Sequence, residues 1–102
     1  DHKAVLTWCN RIMEIDPMRA SVHERRAAAA ESLRQPSEAI ESLGAMIALE
    51  PIDLAVVHYR MAKSLFAQEK REEAKRHVLL ALEESPRYRE ALALLLEIVE
   101  TD

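Results

Sequence analysis

Glycine is nearly absent from this chain: Gly44 is the only one in 102 residues, and aromatic residues make up 4%. A sheet protein of this size needs glycine for its turns and β-branched and aromatic side chains for its strands, so the shortage argues against a β fold. A single cysteine, Cys9, excludes an intrachain disulfide. The longest apolar run, Ala91 to Leu96, is six residues, far below the ~18–20 needed to cross a membrane as a helix. Excess basic charge is also missing. Fourteen Lys and Arg stand against eighteen Asp and Glu, for a net charge of −4. That balance points away from nucleic acid as a partner. There is no initiator Met and no signal-like leader, and Asp1 reads as lying inside a helical pattern; the chain reads as a piece of a longer protein. Cytoplasm and periplasm are both open to it.

What is present is alanine, leucine and glutamate, the strong helix formers, with hydrophobic residues at 49% and charged residues at 31%. That composition suits a folded, soluble, all-α domain. Three prolines punctuate it. Asp16-Pro17, Glu50-Pro51 and Ser85-Pro86 place them 34 and 35 residues apart. Proline lacks an amide hydrogen and disfavours helix at the residue before it, so each dipeptide ends a helix. The segments leading into the prolines repeat: Ile12 to Pro17, Met46 to Pro51 and Ala81 to Pro86 match, and Val22-His23 recurs as Val57-His58. The extra residue of the longer period falls between Pro51 and Ala55. Pro36 has the opposite role, at the first position of a helix, where its missing hydrogen costs nothing.

These marks predict six helices, at about 2–16, 19–34, 36–49, 53–68, 71–84 and 87–100, with Asp53 as an N-cap. Apolar residues recur at steps of three and four. Val57, Met61, Leu65 and Phe66 form the stripe of the fourth helix, with Leu54 and Ala62 beside it. Ala74, Val78, Ala81 and Leu82 form that of the fifth, and Ala39, Leu43, Met46, Ile47 and Leu49 that of the third. Alanines 27, 29 and 30 give the second helix a small-residue core side. Ala62 and Ala74 mark places where helices approach closely.

A full period with phased prolines resembles a tetratricopeptide repeat array, whose unit is a 34-residue helix-turn-helix. In residues 55–88, Met61, Ala62, Leu65, Ala74, Val78, Ala81 and Pro86 stand where that pattern has leucine, small, bulky, alanine, aromatic, alanine and proline. His58 stands where it often has tryptophan. Residues 20–53 keep Ala27, Ala39, Leu43 and Pro51 but depart at Arg26, where leucine is usual, and at Met46, where alanine is usual. The resemblance divides the single domain into a half repeat (1–17), two repeats (18–51 and 52–86) and a half repeat (87–102), with Leu92, Leu95, Leu96 and Val99 in the marked places of the last helix. It implies antiparallel helix-turn-helix repeats stacked as a right-handed superhelical solenoid.

No chemistry-bearing motif competes with a binding role. His2, His23, His58 and His77 have no metal-ligand spacing, and His23 and His58 read as packing residues at one repeat position. Cys9 lies on an apolar helix face, as a buried thiol does. Acidic residues alternate with basic ones at helical spacing, as on solvated surfaces. Neither enzyme activity, nor a cofactor, nor a metal is expected. The resemblance implies a protein-interaction module that takes a peptide or helix along the first helices of its units. The implied lining is Ser21, Glu24, Arg25 and Ala28, then Val56, Tyr59, Arg60, Lys63 and Phe66, then Glu90, Ala93, Leu94 and Glu97. Tyr59 beside Arg60 and Lys63 suits an apolar anchor next to an acidic group. Relatives that bind chaperones clamp a terminal carboxylate with lysine and asparagine. Glu24 and Ala28 occupy those places here, which argues against a chaperone cofactor. Two other roles are open. One is a spacer or homodimerisation element working through the apolar terminal helices. The other is an accessory arm of a multidomain enzyme, since Glu83 to Leu92 resembles repeat tails of bacterial proteins, some of them peptidase-like.

Overall fold

The computed structural model describes residues 1–101. It contains six α-helices, α1 (His2–Ile15), α2 (Ala20–Ser32), α3 (Pro36–Ala48), α4 (Leu54–Ala67), α5 (Arg71–Glu84) and α6 (Arg89–Glu100), and no strand among the described residues. The predicted boundaries hold to within three residues. The linkers also match the spacing of the prolines. Residues 49–53 form a five-residue connection, whereas 16–19 and 85–88 are four residues each.

Helix ends show how the chain manages without glycine. Arg34, Glu50 and Glu69 adopt the left-handed conformation, with φ of 56°, 54° and 61°. Each follows the last turn of α2, α3 or α4, the place that glycine usually takes. The cost of a side chain there is offset by hydrogen bonds. Gln35 N–H donates to Ala30 O and Arg34 N–H to Glu31 O; Lys70 N–H donates to Leu65 O and Glu69 N–H to Phe66 O. After α3 only the inner bond forms, from Glu50 N–H to Ile47 O, because Pro51 has no hydrogen to give. Gly44 itself sits inside α3.

Two caps differ from expectation. Asp1 lies outside the first helix and caps it, its carboxylate accepting from Lys3 N–H at 3.1 Å. Asp53 holds the N-cap position of α4 but makes no side-chain bond there. Its backbone is neither extended nor helical (φ −102°, ψ 56°).

The chain divides into two compact units, residues 1–50 and Pro51 onward. In the first, α2 packs between α1 and α3. Its core is Leu6, Cys9, Val22, Ala27, Ala29, Ala30, Ala39, Leu43 and Met46. Alanine stands where α2 meets its neighbours, so the backbones close up and little space remains to fill. Burial pushes the Cys9 thiol up from its ordinary range, with Arg25 and Arg26 opposing the shift, and leaves it a packing residue. Arg26 is the exception among these small side chains. Where the repeat pattern wants leucine, its guanidinium is buried. Nε donates to Asn10 Oδ1 at 2.8 Å; Nη1 donates to Ser42 Oγ at 2.9 Å and Glu38 O at 3.3 Å, and pairs with Glu41 at 3.2 Å. One side chain of α2 thus ties α1 to α3.

In the second unit α5 packs on α4, and α6 on both. Val57, Met61, Ala62, Leu65, Ala74, Val78 and Ala81 form the buried seam, with Ala91, Leu94 and Ile98 closing it from α6. The last helix has a second apolar face, as its composition suggested. Leu92, Leu96 and Val99 are 44%, 62% and 49% exposed. With Leu95, which is half-buried, they hold the marked places of the repeat pattern. In α4, the equivalent stripe packs on α5; α6 has no such helix facing that side among the described residues.

The recurrence of Val22-His23 as Val57-His58 produces two versions of one buried contact. His23 is within 2.6 Å of Pro17 O and 3.4 Å of Ser42 Oγ. His58 meets His77, with Nδ1 atoms 2.9 Å apart. Ser42 and His77 are themselves 35 residues apart. Each histidine is therefore engaged inside its own unit.

Candidate functional site

The exposed side of α4 carries the most distinctive surface chemistry in the second unit. Val56, Tyr59, Lys63 and Phe66 recur at steps of three and four, so they share one stripe of the helix. Val57, His58, Met61 and Leu65 face the core and anchor that stripe from beneath. Val56 is 38% exposed, while Tyr59, Arg60 and Phe66 are half-buried and Lys63 is exposed.

Tyr59 is held from two sides. Its ring meets that of Tyr88, with centroids 5.2 Å apart and planes tilted by 52°. The Lys63 ammonium lies 5.1 Å from the Tyr59 ring centre, within the range of a cation–π contact. Tyr88 occupies the N-cap position of α6, held by its N–H donating to Ser85 O, so the short turn after Pro86 places it. Burial raises both phenols above the ordinary tyrosine range. The Glu90 and Glu97 carboxylates add to this at Tyr59; the Tyr59 ring and Glu90 add to it at Tyr88, where Arg60 opposes. Both hydroxyls therefore stay neutral donors at physiological pH. The result is an aromatic pair with cations on α4 and carboxylates on α6.

The other implied lining residues fare differently. Ser21, Glu24, Arg25 and Ala28 are all exposed on α2 in the first unit. Arg25 places its guanidinium 6.0 Å over the ring of Trp8, itself 49% exposed. Glu90, Ala93 and Glu97 are exposed on α6, but Leu94 is 7% exposed and belongs to the core. It is not open to a ligand. The sequence reading missed Tyr88. One signal was available, since Tyr59 and Tyr88 are the chain's only two tyrosines, and Tyr88 follows the proline that ends the repeat. Among the described residues, no group of three or more His, Cys, Asp or Glu could hold a metal, and no helix is long and apolar enough to cross a membrane.

Paired antiparallel helices, repeated at the proline period with alanine at their crossings, define an all-α helical repeat of the tetratricopeptide fold. Comparison with solved structures agrees. The first tetratricopeptide domain of Spaghetti (RPAP3), solved bound to the HSP90 peptide SRMEEVD, is 25% identical with a TM-score of 0.82. The match covers 98% of this chain and 79% of that one. The first such domain of human RPAP3 is 25% identical with a TM-score of 0.79, covering 97% of this chain and 77% of that one. MamA is 18% identical with a TM-score of 0.88; the match covers 99% of this chain but 58% of MamA. No family model matches the sequence, and no curated protein is significantly similar to it.

Proposed function

We propose that this chain is a protein-interaction module that binds a peptide on the outer stripe of α4, and that it is a binding domain rather than an enzyme. The observation that carries this reading is the Tyr59–Tyr88 pair with Lys63 seated on it. Aromatic side chains give a large, rigid contact area at low entropic cost, and hot spots of interfaces are enriched in them. Val56 and Phe66 extend the apolar strip. Lys63 and Arg60 supply charge for an acidic group, so the favoured ligand has an apolar anchor next to Asp or Glu. The 25%-identical neighbour bound to an HSP90 peptide supports peptide binding as the activity. Glu24 and Ala28 stand where a carboxylate clamp has lysine and asparagine, so SRMEEVD is expected to be a poor ligand here.

Selection from a displayed peptide library, followed by fluorescence anisotropy, tests the reading. Selected peptides should carry an aromatic or aliphatic residue beside an acidic one. The Tyr59→Ala/Lys63→Glu double variant should fold normally and bind them at least about tenfold more weakly, since truncating a hot spot costs ~2 kcal/mol or more. Equal binding by variant and wild type would refute the site.

A second reading has its own observation, the exposed Leu92, Leu96 and Val99 of α6. A second copy covering this face would make the chain a homodimerisation element. Sedimentation should then show a dimer that Leu96→Lys returns to monomer. A monomer throughout the micromolar range would exclude it.

A further inference from the structure

The buried contact between α4 and α5 has a property that its counterpart between α2 and α3 lacks. His58 and His77 stand 19 residues apart on facing helices, with 2.9 Å between their Nδ1 atoms and 5.1 Å between ring centres. The two separations differ by close to two ring radii, so the nitrogens point at each other, nearly end to end. Only one arrangement satisfies such a contact: one ring donates its Nδ1 hydrogen and the other accepts at a bare Nδ1. The pair can be neutral, or can carry one extra proton on the outer Nε2 of the donor. A second added proton must go to the accepting Nδ1. That sets two N–H groups head to head and breaks the contact. His58 is 7% exposed, so water cannot easily replace the lost bond.

The same position in the first unit has no such limit. His23 faces Ser42, whose hydroxyl turns to donate or accept as the ring requires, while Arg26 donates to the same oxygen at 2.9 Å. We propose that His58 and His77 form a shared-proton pair that makes the α4–α5 hairpin acid-sensitive, firm at neutral pH and loosened as acid loads its second proton. This does not rest on the peptide-binding reading.

The surroundings favour the neutral pair. Burial lowers both histidines below the ordinary range, and His58 and Arg76 lower His77 further. Glu84 opposes this at His58, and Glu73 at His77; these charged groups all lie on α5. No charge of α6, which also packs on the hairpin, acts on either ring in this way. The sign follows from linkage. The unfolded chain takes up protons at the usual histidine pH and the fold does so only at lower pH, so stability is complete above the unfolded value and falls with pH beneath it. The 2.9 Å between the two nitrogens also leaves no room for a metal, whose bonds to imidazole nitrogen are about 2.0 Å each.

Urea unfolding of the whole chain between pH 7.5 and 5.5, for the wild type and His77→Ser, gives the test. The variant reproduces the His23–Ser42 pairing at the equivalent place. From pH 7.0 to 5.5 the wild-type folding constant should fall about tenfold for each ring kept neutral in the fold. In His77→Ser that fall should be less than half as large on a logarithmic scale. Proton-detected NMR of the wild-type imidazoles supplies an independent readout that a poorly folding variant would not affect. His58 and His77 should titrate below the range of a free histidine, and one Nδ1 hydrogen should couple to both Nδ1 nitrogens. An unchanged slope in His77→Ser, or two rings titrating independently at about pH 6.5, would overturn the proposal.

Discussion

Ala62→Glu, or Ala74→Asp, should leave the second unit unfolded at 25 °C. Both alanines have no exposed surface and lie in the α4–α5 seam. The packing at these two positions is close because each presents only a methyl group. A carboxylate at either place must displace a helix or be buried without a partner. Neutralising or burying it costs upward of ~4 kcal/mol, against a total of ~5–10 kcal/mol for a domain this small. Circular dichroism and urea titration would read the loss. Ala93→Glu is the control, because Ala93 is exposed on α6; it should change stability by no more than ~0.5 kcal/mol. A wild-type unfolding curve for Ala62→Glu would mean that α4 and α5 do not meet as described.

Arg26→Ala should be the most damaging truncation in the first unit, at about 2–4 kcal/mol. It removes hydrogen bonds to Asn10, Ser42 and Glu38 and opens a space between α1, α2 and α3. The Glu41 pair adds little, because that carboxylate is 64% exposed and surface pairs are screened. Arg26→Met makes the contrast informative. Methionine stands at the equivalent place in the second unit, as Met61, which is 6% exposed. It fills volume without a buried charge, and replacing buried ionic groups with well-packed apolar ones is often neutral or stabilising. Arg26→Met should therefore stay within ~1 kcal/mol of the wild type. Equal loss in both variants would mean that the polar network, rather than the volume, holds α1 to α3.

Those two sites also show what could be read in the sequence. Alanine at 62 and 74 was legible because small residues at repeat positions have one geometric reason, close approach. The helices were legible because proline acts on its own neighbours and apolar spacing is local. Arg26 was not, since its burial depends on Asn10, Glu38 and Ser42 arriving from two other helices. The His58–His77 contact depends in the same way on a partner 19 residues off. Tyr88 escaped because the turn after Pro86, and no periodic pattern, carries it to Tyr59. Leu94 was misplaced for a related reason. α6 is apolar on two faces, and only the packing of α4 and α5 against it decides which face is core. Asp53 had the right residue type for a cap, but its backbone does not bring the carboxylate onto the helix amides.

In the proposed complex a peptide lies along Val56, Tyr59, Lys63 and Phe66. The most direct measurement is amide and side-chain NMR mapping of the labelled chain as a library-selected peptide is added. The largest shifts are expected at those residues and at Tyr88 and Ala93, with the Tyr59 ring protons moving most. Shifts confined to Leu92, Leu96 and Val99, or to the first unit, would contradict it.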